Sequence, residues 1–84
     1  MKALLYFSAP WCGPCKMFGP IMEEIAQEIP VTKYDVDVDT LETATFGIRN
    51  VPSVVMVDET GAEVDRFVGV KSKQQILDFY NKQA

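Results

Sequence analysis

The sequence predicts an α/β fold in which a mixed four-stranded sheet carries three helices, and three observations lead there. An unbroken apolar run opens the chain, a long helical periodicity follows it, and strand-like and helix-like segments then alternate to the end. At 84 residues the chain has room for one hydrophobic core, so the expected organisation is a single domain spanning 1–84.

Ala3 to Phe7 (Ala-Leu-Leu-Tyr-Phe) is bounded by Ser8-Ala9-Pro10, the pattern of a strand buried on both faces and therefore central. From Pro14 onward, Met17, Phe18, Ile21, Met22, Ile25, Ala26 and Ile29 recur at helical spacing with Lys16, Glu23, Glu24 and Gln27 between them. Pro20 should bend this helix without ending it, because the periodicity continues past it, and Pro30 should end it. Val31 to Val38 alternates β-branched or aromatic residues with charged ones, a second strand. Asp39 and Glu42 then offer a capping-box-like start to a short helix that places Leu41, Ala44 and Phe46 inward and stops at Gly47. Strand, helix, strand in this order predicts a right-handed βαβ unit.

After Pro52, the segments 53–57 and 63–68 are strands separated by Asp58-Glu59-Thr60-Gly61, a hairpin-length turn that makes them antiparallel neighbours. Ser72 and Gln75 form a capping box for a last helix burying Ile76, Leu77, Phe79 and Tyr80.

Net charge is −4, with no cluster of Lys or Arg, so nothing supplies the phosphate neutralisation that nucleic-acid binding requires. The apolar run at the start is too short for a signal-peptide core or a membrane span, which makes the cytoplasm the expected location and a membrane role unexpected. Two cysteines three positions apart are no disulfide framework. Their purpose is chemistry or metal.

Cys12-Gly13-Pro14-Cys15 falls where the first strand hands over to the first helix, with Pro14 suited to the first helical turn and unpaired amides pointing outward. Such a terminus favours an anion by roughly 0.3 to 2 kcal/mol, so the first cysteine should ionise more readily than a free thiol. The second thiol, one turn further on, can resolve a mixed disulfide. A structural zinc site needs four ligands, and the chain has two cysteines and no histidine. A purely structural bridge over so short a loop would contribute only about 2 kcal/mol. Buried, inert cysteines conflict with the turn chemistry of Trp11, Gly13 and Pro14. No metal and no cofactor are expected beyond the redox-active pair itself.

The segment from Ala9 to Met17 resembles the active-site segment of thioredoxins, and the resemblance runs through most of the chain: Tyr34-Asp35-Val36-Asp37 is similar to the family's second core strand, Gly47 to Ser53 to its cis-proline segment, and Val68-Gly69-Val70 to the loop completing its substrate groove. The resemblance implies a minimal thioredoxin-like fold with strand order 2-1-3-4 and helices on both faces. It further implies that Cys12 attacks, Cys15 resolves, Pro52 is cis beside them, and Trp11, Gly13, Val51, Pro52, Gly69 and Val70 form a docking surface for protein substrates. The implied partners are disulfide-containing proteins and a thioredoxin reductase, with the chain itself a monomer.

Two departures stand out against the family pattern. The chain starts at what would be the family's second strand. The family's buried aspartate corresponds to Tyr6, and the tryptophan two positions later corresponds to Ser8. A phenol is a poor base at neutral pH, so Lys33, which matches a family lysine near the site, is the candidate to assist Cys15 by a hydrogen bond or its field. Tyr6-Phe7-Ser8 is also similar to the first strand of glutaredoxins, making glutathione-dependent thiol transfer the alternative enzyme reading, although Gly69-Val70-Lys71-Ser72 lacks that family's glutathione-holding pattern. A further alternative is a docking subunit that uses the groove without turnover; changing both cysteines to serine would spare docking and abolish electron transfer.

Overall fold

A computed structural model of the chain describes residues 1–82, so the last two positions of the expected 1–84 domain lie outside the described residues. The elements follow the order β1 (Ala3–Ser8), α1 (Gly13–Ala26), β2 (Val31–Asp35), α2 (Thr40–Thr45), β3 (Ser53–Val57), β4 (Glu63–Val68) and α3 (Lys73–Lys82). They form one sheet of order β2-β1-β3-β4. β1 runs parallel to β2 and antiparallel to β3, which is antiparallel to β4. The mixed sheet and its 2-1-3-4 order are those anticipated from the sequence.

Alternation along β1 and β3 divides the core between the two faces. Leu4, Tyr6, Val54 and Met56 join Phe18, Met22 and Ile25 of α1 and Ile76 of α3, while Leu5, Phe7, Val55 and Val57 pack with Tyr34, Val36, Phe46 and Ile48 on the other side. Phe18 meets Tyr6 and Phe67 edge-on, at 5.6 and 6.3 Å between ring centroids. The α3 capping box forms as expected, Gln75 N–H donating to Ser72 Oγ and Ser72 N–H to Gln75 Oε1. A reciprocal clasp ties α3 to the start of the sheet: Lys2 Nζ donates to the Tyr80 carbonyl at 2.6 Å, and the Tyr80 hydroxyl donates to the Lys2 carbonyl at 2.8 Å.

Five expectations are corrected. α1 continues across Pro20 but ends at Ala26, before Pro30, in a turn where the N–H groups of Glu28 and Ile29 share the Ile25 carbonyl. Ile29 stays buried by that turn, whereas Met17 and Ala26 face solvent. β2 stops at Asp35, not Val38, because side chains take over the backbone partners there: Asp39 Oδ2 accepts from Asp35 N–H, and Asp35 Oδ1 accepts from Asp37 N–H. With its carboxylate so engaged, Asp39 makes no side-chain cap on α2. That helix is only six residues long, and Leu41 and Ala44 lie exposed on it while Phe46, just beyond its end, turns inward.

Candidate active site

The site begins where β1 ends. The chain turns at Ala9, whose carbonyl accepts from Cys12 N–H at 3.1 Å, and Cys12 becomes the N-cap of α1 with extended backbone angles. Its Sγ accepts from the Cys15 N–H at 3.2 Å, so the sulfur occupies the position that a capping serine oxygen would take. Pro14 sits in the first turn, where its missing N–H leaves no helical bond unmade. Cys12 and Cys15 are joined as a disulfide with Cα atoms 5.3 Å apart. Both are buried, at 4% and 7% exposure, so accessibility alone does not rank them; the helix terminus does, because it favours negative charge on Cys12 Sγ.

Ala9, Cys12 and Cys15 form a small apolar cluster against which Val36 and Val51 pack. The Val51-Pro52 bond is cis, as the resemblance to thioredoxins implied. The Pro52 carbonyl accepts from Gly69 N–H at 2.9 Å, and Gly69 holds φ at +95°, a backbone region that side chains disfavour. Val51, Pro52 and Gly69 are thereby connected to the dithiol through packing and one hydrogen bond. Trp11, 68% exposed, stands beside Cys12 with its indole N–H on Asp37 Oδ2 at 2.8 Å; Gly13 and Val70 are also exposed.

Tyr6 and Ser8, the residues that depart from the family pattern, sit beneath α1. Tyr6, Ser8, Lys33 and Asp35 share one face because β1 and β2 pair Tyr6 with Lys33 and Ser8 with Asp35 in register. Tyr6 is 3% exposed, with Lys33 Nζ 6.0 Å from its ring centroid. Burial pushes its phenol up from the ordinary value, with a Ser8 hydrogen bond opposing, which makes Tyr6 a still poorer base. Between these side chains and Cys15 lies an open cleft of about 340 Å³, and Lys16 is on its wall.

The family model for Thioredoxin matches residues 1–82. The chain belongs to the thioredoxin family. It is 37% identical over 82 residues to the thioredoxin of Chlamydia muridarum, covering 94% of this chain and 79% of that one, and 39% identical over 83 residues to that of Haemophilus influenzae, covering 94% and 77%. In three dimensions it is similar to a mutant thioredoxin from Halobacterium salinarum, at a TM-score of 0.88 and 32% identity over 96% of this chain and 73% of that one. It is equally similar to the thioredoxin of Fasciola hepatica, at a TM-score of 0.88 and 29% identity over 99% and 81%.

As a member of the thioredoxin family with its cysteine pair at disulfide distance, the chain is a protein-disulfide oxidoreductase. Among the described residues there is no cluster of three or more metal-ligating side chains, and no helix is long and apolar enough to cross a membrane. Sequence reasoning gives no site role to Asp37, and it names Ser8 only as a departure from the family pattern and Lys16 and Asp35 only as members of a helix and a strand. The last three share a wall through strand parity and helix placement, a signal readable only once the β1–β2 register is known.

Proposed function

We propose that the chain reduces disulfides in other proteins by two successive exchanges, with Cys12 as attacking and Cys15 as resolving thiol. The Cys12 thiolate attacks one sulfur of a substrate disulfide; a mixed disulfide forms, and the other substrate sulfur leaves as thiolate and takes a proton from solvent. Cys15, deprotonated, then attacks Cys12 Sγ, expelling the second substrate thiolate and forming the Cys12–Cys15 bond. One observation carries the assignment: Cys12 Sγ is the N-cap atom that receives the Cys15 N–H, a place that stabilises a thiolate.

In this reading Trp11, Gly13, Val51, Pro52, Gly69 and Val70 are the docking surface on which an extended substrate strand lies. The Cys15 proton leaves without a buried carboxylate, helped by the positive field of Lys33, while Tyr6 closes the core beneath it. The chain acts in the cytoplasm as a monomeric single domain, residues 1–84, and receives electrons from a thioredoxin reductase. Family membership and the absence of a long apolar helix among the described residues are consistent with that setting.

Reduction of insulin, followed by precipitation of the freed chains, tests the activity. Cys12→Ser should abolish it, and Cys15→Ser should arrest the reaction as a mixed disulfide on Cys12. Recovery of the trapped partner on neither sulfur would reject the roles given to the two cysteines.

A further inference from the structure

The cleft beneath Cys15 is larger than the loss of a proton requires. One water occupies about 30 Å³ of liquid, whereas this space measures about 340 Å³ and falls among the roughly 300–1,000 Å³ sites that hold small ligands. Its wall carries two ammonium groups, Lys16 and Lys33, one carboxylate, Asp35, and two hydroxyls, Tyr6 and Ser8. Neither lysine is in an ion pair among the described residues. Two cations against one anion suit a compact molecule with more carboxylates than ammonium groups. Cys15 is on that wall and Cys12 is not; the cleft is present with the disulfide closed.

We propose that this cleft binds a small amino-acid-like thiol bearing carboxylates, and that such a thiol reduces the Cys12–Cys15 disulfide by attacking Cys15 Sγ. The inference rests on the exchange chemistry proposed above and adds an electron source for the oxidised chain. The ligand's thiolate forms a bond to Cys15 Sγ as the Cys15–Cys12 bond breaks, and the electron pair leaves on Cys12 Sγ. That is the better leaving group, because it ends at the helix N-cap under the Cys15 N–H. A second thiolate attacks the ligand sulfur of the mixed disulfide, releasing a small-molecule disulfide and the Cys15 thiolate. Protons lost by the two small thiols return through solvent to Cys12 and Cys15. The substrate groove, on the side of Trp11 and Pro52, takes no part.

Ser8 stands where the family pattern has a tryptophan, so Ser8→Trp fills the cleft with a side chain that related folds hold at that position. The oxidised protein is mixed with glutathione, cysteamine or 2-mercaptoethanol, and reduction is followed by Trp11 fluorescence, or by free-thiol appearance in Ser8→Trp. Each rate is normalised to the same thiol's rate with cystine. Glutathione is expected to exceed the other two after normalisation, with its adduct mapped to Cys15 in acid-quenched samples. Ser8→Trp should cut the glutathione rate at least about ten-fold, equivalent to about 1.4 kcal/mol. Lys16→Glu, an exposed change that serves if Ser8→Trp does not fold, should lower it about three- to five-fold while sparing 2-mercaptoethanol. Equal normalised rates, indifference to both changes, or adducts on Cys12 would overturn the proposal. Single-turnover insulin reduction by the pre-reduced parent protein separates the two readings. If the parent chain leaves insulin intact, the exchange function falls; if insulin is reduced while the glutathione rate ignores the cleft, only the cleft site falls.

Discussion

The Trp11 indole N–H donates to the Asp37 carboxylate at 2.8 Å, joining the loop before α1 to the turn after β2 across the mouth of the dithiol site. The bond holds a ring that is 68% exposed, and an exposed ring without a tether would have to be ordered each time a substrate docked. Asp37→Ala is expected to raise KM for insulin about two- to five-fold with kcat little changed, the size of one hydrogen bond that orients a contact. Trp11 is the chain's single tryptophan, so reduced fluorescence anisotropy would report the freed ring directly. An unchanged anisotropy would mean that packing, not Asp37, holds it.

Resolution of the mixed disulfide needs the Cys15 thiolate, and Lys33 is the cation on the same face of the sheet. Lys33→Met should raise the Cys15 thiol pKa and slow resolution near neutral pH by about two- to three-fold, a small factor because Lys33 is solvent-exposed and screened. Tyr6→Phe should slow it less, since burial keeps the phenol protonated. The gap between the variants should narrow as pH rises and Cys15 ionises unaided. Rapid-mixing kinetics across pH decide this; a slower Tyr6→Phe would place the phenol in the proton path.

Phe18 and Met17 are neighbours in sequence with opposite surroundings, at 0% and 70% exposure. Phe18→Ala opens a cavity between Tyr6 and Phe67 and should cost about 3–5 kcal/mol, while Met17→Ala should stay within about 0.5 kcal/mol. Urea titrations with an unchanged m-value would measure both. Comparable losses would contradict the helical phase described for α1.

Arg66 joins β4 to the end of α2. Its guanidinium donates to both carboxylate oxygens of Glu63 and, through Nη2, to the Phe46 carbonyl at 2.7 Å. The Arg66 hydrogen bond holds the Glu63 carboxyl below the usual carboxylate range. A folded pKa depressed in this way contributes stability that is complete above the unfolded value and is lost as pH falls through the folded one. Glu63→Gln should therefore leave stability at pH 3 nearly unchanged and lower it at pH 7, by less than about 1 kcal/mol because the pair is partly exposed. Thermal unfolding of both proteins at the two pH values would show the acid limb flattened in the variant.

The parts of this fold that could be read from the sequence are those where one physical term dominates. Five consecutive apolar residues in β1 have no soluble alternative to burial, and the Ser72–Gln75 cap is written in two side chains. The misread segments are places where two terms compete. Beyond Asp35 the alternation persists in the letters, but the carboxylates of Asp35 and Asp39 take up the local amides in place of a continued ladder. Leu41 looks like a core residue, yet it stands five positions before Phe46, a spacing that does not share a helix face, and Phe46 takes the inward place. At the site, Cys12, Cys15 and Pro52 announced themselves by spacing and by likeness to the family, whereas the cleft did not. Its wall is assembled from β1, β2 and the start of α1, and that assembly is visible only once the strand register is known.

The Lys2–Tyr80 clasp has a consequence for how the molecule is made. β1 precedes all of its partners in the chain: its two hydrogen-bonding edges are completed by residues 31–35 and 53–57, and its start is held by residue 80. A nascent chain that has reached only Ile48 carries an apolar strand with one edge open, which is the kind of surface that pairs with strangers. The sheet around β1 is therefore closed only by residues distant in sequence, and such non-local pairings are slow to form.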